Sequence, residues 1–263
     1  MLEPKTEKEL AAIRAGGRIL ADIVAEVART AAPGVTTGEL EELALNRMDE
    51  AGGQPAFKGY GGGPGVKPFP TALCTSLNSE VVHGPALPAR ELKDGDLLKI
   101  DCGLKYQGCF TDMATTVGIG QVSEEAVRLC RVTREALFQG IDQIRDGRWV
   151  SDIGKAVDRH VRRNGYSTVK DLVGHGVGRA VHEEPPIPNY LDRRMPPVRL
   201  TAGLVLAIEP MVNLGGEAVE WLDDQWTVVT ADGSLSAHYE VTVIVLPDGR
   251  EIVTPQPEFF AKV

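Results

Sequence analysis

Four carboxylates and one histidine sit where strands and a tight loop should hold them, an unusual placement for ionisable groups. Asp101 and Asp112 fall in two strand-like stretches, Leu97–Cys102 and Cys109–Val117. A tight turn around Tyr106-Gln107-Gly108 would make these a hairpin. If the turn centres between Tyr106 and Gln107, the two aspartates face each other with Cβ atoms about 5 Å apart. Facing carboxylates repel unless they share a proton or a cation. The alternative, two solvated hairpin aspartates, is weakened by Leu97, Leu98 and Ile100 beside them. Glu209 ends the run Leu204–Ile208, which reads as a strand buried on both faces, and precedes Pro210. An unpaired carboxylate there would cost on the order of several kcal/mol, so it needs a positive partner. Glu240 opens an alternating strand with Tyr239, Val241, Val243 and Val245 on one face and His238, Glu240 and Thr242 on the other. That second face could equally be solvated. His175 lies in Gly174-His175-Gly176-Val177-Gly178, where the flanking glycines leave its imidazole accessible. Taken together these side chains read as a ligand list. Oxygen-rich with one nitrogen, the set suits a pair of Mn, Fe(II), Co or Zn ions better than one structural zinc. Bridging carboxylates that hold two metals about 3.5–4 Å apart are a recurrent hydrolase arrangement.

Other motifs fail. His182-Glu183-Glu184-Pro185-Pro186 is not H-E-x-x-H, because position 186 is proline. No phosphate-binding G-x-x-x-x-G-K-[ST], no G-x-G-x-x-G and no G-x-S-x-G elbow occurs.

The elements that must carry these residues show a faint internal repeat. Gly34–Leu40 resembles Gly147–Ile153, and Gly95–Asp101 resembles Gly203–Glu209 at nearly the same separation. Each of the first pair follows an amphipathic helical segment, one with Ile19, Ile23, Val24 and Val27 on a face, the other with Val132, Ala136, Leu137, Ile141 and Ile144. A further helix follows each, ending at glycine in Ala51-Gly52-Gly53 and Asn164-Gly165. Each of the second pair reads as a strand ending on a carboxylate. The expected organisation is one domain over 1–263 with two pseudo-symmetric halves, roughly 8–118 and 122–246, sharing one sheet with the site between them.

Composition agrees with an ordinary globular domain: 263 residues, 43% hydrophobic and 25% charged. The net charge of −9 argues against nucleic acid as the main ligand. Cys74, Cys102, Cys109 and Cys130 have no metal-binding spacing and read as buried thiols in a reducing compartment. The N-terminus carries no apolar signal core and no run is long enough to span a membrane, so a cytoplasmic protein is expected.

The chain resembles the methionine aminopeptidases, in the short type I form typical of bacteria, across nearly its whole length. The resemblance rests on Ser76–Gly84 (SLNSEVVHG), Lys99–Gly103 (KIDCG), Tyr106–Asp112 (YQGCFTD), Gly174–Gly178 (GHGVG), Val181–Pro185 (VHEEP), Ile208–Met211 (IEPM) and Ser236–Glu240 (SAHYE). It implies an α+β pita-bread fold, two pseudo-symmetric halves around a shared antiparallel sheet. It implies two divalent ions (Co, Mn, Fe(II), Zn or Ni) on Asp101, Asp112, His175, Glu209 and Glu240, with Asp112 and Glu240 bridging. His83 and His182 match two histidines near the scissile bond that bind no metal, and Glu209 is also expected to shuttle a proton. Tyr60, Phe69, Cys74 and Trp226 match the methionine pocket, with ordinary core as the alternative for Phe69 and Trp226. The implied substrate is the N-terminal methionine of peptides and nascent proteins, handled by a monomer that associates transiently with ribosomes. The sequence departs from the family pattern at three places. Val181 replaces a larger aromatic, Gly61–Lys67 looks inserted, and His238 replaces an amide-type residue. X-Pro peptidases of the same fold usually carry an extra N-terminal domain, and a metal-free binding module would have lost the ligands that this chain retains.

Overall fold

The computed structural model describes residues 2–63 and 65–257; Met1 and Pro64, the latter inside the Gly61–Lys67 stretch, lie outside the described residues. Among the described residues four helices form: α1 (Glu7–Thr30), α2 (Thr37–Glu50), α3 (Glu124–Ile141) and α4 (Val150–Arg163). Sequence chemistry sets their ends. Both α1 and α2 open on a T-x-x-E capping box, Thr6/Glu9 and Thr36/Glu39, which satisfies two orphan N–H groups at each start. Both α2 and α4 stop just before a glycine with positive φ, Gly52 and Gly165, as expected at a helix C-terminus.

These helices pack on a nine-stranded antiparallel sheet. Its strands run in the order Gln54–Pro55, Leu97–Tyr106, Cys109–Gly118, Glu240–Leu246, Val205–Ile208, Gly174–Gly176, Glu183–Ile187. Leu73–Leu77 adds beside Leu97–Tyr106, and Gly249–Ile252 beside Glu240–Leu246. Strand parity sorts the side chains. Leu98, Ile100, Cys102 and Leu104 join α1 and α2 in one core, and Leu206, Ile208, Val241 and Val243 join α3 and α4 in another. Asp101, Asp112, Glu209 and Glu240 project from the opposite face. The helix faces expected at Ile19–Val27 and Val132–Ile144 are the ones that pack.

The structure corrects two expectations and settles one open alternative. The hairpin turn is Gln107-Gly108, both with positive φ (48° and 83°), so Tyr106 pairs with Cys109. This moves the register by two residues. Asp101 therefore faces Ala114, Asp112 faces Gly103, and the aspartates are diagonal neighbours on one face rather than directly opposed. Two consecutive positive-φ residues make the primed turn that a twisted hairpin favours, and the glycine is at its second position. The strand carrying Asp101 does not end there but continues to Tyr106. The face bearing His238, Glu240 and Thr242 is buried rather than solvated, at 1%, 2% and 0% exposure.

Candidate metal centre and substrate cleft

Register sets the ligands in two adjacent rows on one face of the sheet, Asp101, Glu240 and Glu209 in one, Asp112 and His175 in the next. Cys74 pairs with Asp101, Asp101 with Ala114, and Ala114 with Glu240. On the far side Val241 pairs with Ile208, which sets Glu240 beside Glu209, and Ala207 pairs with His175. Donor atoms of Asp112, His175 and Glu240 all lie within 4.8 Å of one another. His175 Nε2 is 3.5 Å from Glu209 Oε1 and 4.0 Å from Asp112 Oδ2. All five sequence-predicted ligands thus line one cleft.

The charges in this cleft are uncompensated. Two carboxylates about 5 Å apart repel by roughly 3 kcal/mol at an effective dielectric near 20. Burial, reinforced by neighbouring carboxylates, pushes Asp101 up to about 7 and raises Asp112 and Glu240 well above the usual carboxylate range. Burial alone takes Glu209 up to about 8. Asp101 Oδ1 and Glu240 Oε1 are buried with no hydrogen-bond partner among the described residues. His175 complements them. Its Nδ1–H donates to the Gly176 carbonyl at 2.8 Å, so Nε2 presents its lone pair to the carboxylates. Burial lowers its pKa to about 3 and keeps it neutral. Orphaned anionic oxygens beside a neutral imidazole nitrogen are a donor set that fits divalent cations.

The two further histidines enter the same cleft. His83 adopts φ +59°, a left-handed conformation uncommon outside glycine that is kept where surrounding structure enforces it. Burial lowers its pKa to about 4. The His182 ring centroid is 4.2 Å from that of His175, and its Nδ1 is 2.7 Å from the Tyr60 hydroxyl. With the phenol as donor, Nδ1 accepts and Nε2 carries the hydrogen.

The apolar wall gathers Phe69, Cys74 and Val181 with Trp226, the last meeting Phe69 edge-on at 5.3 Å between centroids. Phe69 and Trp226 are cleft lining as well as core. Phe57 belongs to the same wall, and sequence reasoning missed it. Nothing in its local pattern distinguishes it from ordinary core. It supplies aromatic bulk in the cluster where Val181 is small. The stretch after Tyr60 doubles back as a tight flap, with Gly63 and Val66 exchanging backbone hydrogen bonds and Phe69 N–H donating to Tyr60 O. Trp226 Nε1–H donates to Lys67 O at 3.1 Å, which ties the flap to the cleft wall. Gly61 lies against the Trp226 ring, where a Cβ would approach to 2.8 Å.

Also missed was a clamp from the first residues of the chain. Lys5 Nζ pairs with Glu183 Oε2 at 2.7 Å, and Arg179 pairs with Glu9 at 2.6 Å. Both hold the 178–183 segment that carries Val181 and His182.

Comparison with known proteins places this geometry. Residues 11–247 match the model of metallopeptidase family M24. A methionine aminopeptidase of Clostridium perfringens is 46% identical over 255 residues, 97% of this chain and 99% of that protein. The crystal structure of methionine aminopeptidase from Thermotoga maritima superposes with a TM-score of 0.91 at 39% identity, covering 97% of this chain and 100% of that one. The curled sheet with helices on its outer face is the pita-bread fold of that structure. A prolidase from Pyrococcus horikoshii shares the fold at a TM-score of 0.75 and 20% identity, with this chain covering 64% of it.

Proposed function

The chain belongs to metallopeptidase family M24, and from that premise we propose that it removes the N-terminal methionine from peptides and nascent proteins whose second residue is small. The observation that carries this reading is a buried cluster of four carboxylates and a fixed imidazole, set in two adjacent rows of the sheet beside an apolar wall. Full-length relatives named methionine aminopeptidase support the substrate class. Asp101, Asp112, His175, Glu209 and Glu240 would hold two divalent ions, with Asp112 and Glu240 shared between them. When bound, such ions supply Lewis acidity and lower the pKa of water at neutral pH.

The remaining chemistry belongs to the chain. Glu209 accepts a proton from water and passes it to the leaving amine. His182, its tautomer set by Tyr60, donates from Nε2 to the carbonyl oxygen as negative charge develops there. His83 stands on the same cleft and contacts the substrate backbone. Phe57, Phe69, Cys74 and Trp226 enclose the methionine thioether, and the acidic residues attract its α-ammonium group. All of these roles lie within a single catalytic domain.

Four free, buried cysteines support a reducing, cytoplasmic setting, and no helix of the described residues is long and apolar enough to cross a membrane. We infer a monomer that meets nascent chains through transient contact with the ribosome.

The test is hydrolysis of Met-Ala-Ser, Met-Lys-Ser and Ala-Pro-Ser before and after chelation. Met-Ala-Ser should be cleaved fastest, activity should vanish with chelator, and Mn, Co or Fe(II) should restore it. Full activity in excess chelator would sink the metal site, and preference for Ala-Pro-Ser would sink the substrate assignment.

A further inference from the structure

His238 has no part in the chemistry above, yet its ring stands directly against Glu209. It is 1% exposed and ends the strand Ser236–His238, two residues before Glu240 and on the same face. The Thr116 hydroxyl locks its backbone from both sides, accepting from His238 N–H at 2.9 Å and donating to His238 C=O at 2.6 Å. Neither ring nitrogen has a hydrogen-bond partner among the described residues. Buried polar groups normally find partners, so an imidazole held this firmly with none invites a functional reading.

Its surroundings narrow that reading. His238 Nε2 stands 3.5 Å from Glu209 Oε2, while Glu209 Oε1 stands 3.5 Å from His175 Nε2. One carboxylate is bracketed by two imidazoles. The Gly176 carbonyl fixes His175 with its Nε2 lone pair toward the site, so His175 gives the carboxylate no hydrogen bond. Among the described residues no partner commits His238 to either tautomer, so its hydrogen can lie on Nε2. A small rotation of the Glu209 carboxylate brings the 3.5 Å separation to hydrogen-bond length.

We propose that His238 is a positioning residue whose Nε2–H donates to Glu209 and fixes the carboxylate so that its other oxygen serves the metal position it shares with His175. This rests on the reading of Glu209 as a metal ligand. Donors that orient a ligating carboxylate from outside the coordination sphere typically change metal affinity by about 10–100-fold. A glutamine side chain in place of this imidazole would also carry N–H donors. What matters at this position is then a donor, not an imidazole.

That distinction gives the experiment. Metal-free wild type, His238→Gln and His238→Met are titrated with Co(II), with uptake followed by calorimetry and visible absorption, and each apoprotein is checked for thermal unfolding. Glutamine keeps a donor, whereas methionine fills comparable volume without one. His238→Gln should stay within about threefold of wild type, and His238→Met should bind one ion about 10–100-fold more weakly with its apoprotein melting unchanged. Wild-type affinity in His238→Met would overturn the proposal. So would a His238→Gln affinity as poor as that of His238→Met, since it would make the imidazole itself the ligand. Should His238→Met fail to fold, His238→Leu replaces it and is read in the same way. Wild type that takes up no Co(II) would sink the metal reading and this proposal with it; the variants test the donor only when wild type binds.

Discussion

Glu183→Gln should destabilise the protein more than Lys5→Met, although both break the same ion pair. The Lys5 and Glu183 side chains are 3% and 19% exposed, so solvent screens the pair little. Glu183 is well provided without Lys5, because its Oε1 also accepts from the backbone N–H of Ala180 at 2.9 Å and of Arg179. Lys5→Met therefore leaves a carboxylate that retains two donors, at a cost of about 1–3 kcal/mol. Lys5 has only Glu183 as a side-chain acceptor among the described residues. Glu183→Gln leaves a buried ammonium facing an amide, worth about 3–5 kcal/mol. In a domain of this size that lowers Tm by roughly 6–20 °C. Burial pushes the Glu183 carboxyl up, but Lys5 and the two backbone N–H groups outweigh it and hold the group below 4.5. A depressed folded-state pKa contributes stability above the unfolded value, which is lost as pH falls through the folded one. Urea unfolding of wild type and both variants at pH 7 and at successive steps below pH 4.5 measures this. The gap between wild type and Glu183→Gln should narrow as pH falls. Equal or greater loss in Lys5→Met, or a gap independent of pH, would refute the argument.

Two further outcomes follow from the cleft. His182→Ala should keep its metal content and fold while kcat drops about a hundredfold or more, measured on Met-Ala-Ser; an unchanged kcat would remove its catalytic role, and a lost ion would make it a ligand. Phe57→Ala should widen the methionine pocket, raising KM for Met-Ala-Ser and increasing the relative rate on Phe-Ala-Ser about tenfold, with about 3 kcal/mol lost from the cluster; an unchanged Phe-to-Met ratio would show that Phe57 does not bound the pocket.

The sequence by itself determined the local elements and the identity of the chemistry. Capping boxes at Thr6/Glu9 and Thr36/Glu39 and glycines after α2 and α4 bound helices where periodicity places them, because caps act within one turn and need no tertiary partner. Glu209 after a wholly apolar run was legible for a similar reason, since a strand buried on both faces leaves a carboxylate no solvent. Tertiary structure decided what depends on neighbours distant in the chain. Alternation gives the face of a strand but not its register, so the Gln107-Gly108 turn, rather than the pattern, set Asp101 and Asp112 diagonal instead of opposed. Polarity alone left the His238–Thr242 face undecided between solvent and a buried site. Strands Cys109–Gly118 and Val205–Ile208 on either side bury it, and that burial sets Glu240 among the other candidate ligands. Phe57 and the Lys5–Glu183 clamp were invisible for the same reason: each acts through a residue far along the chain, and only packing joins them.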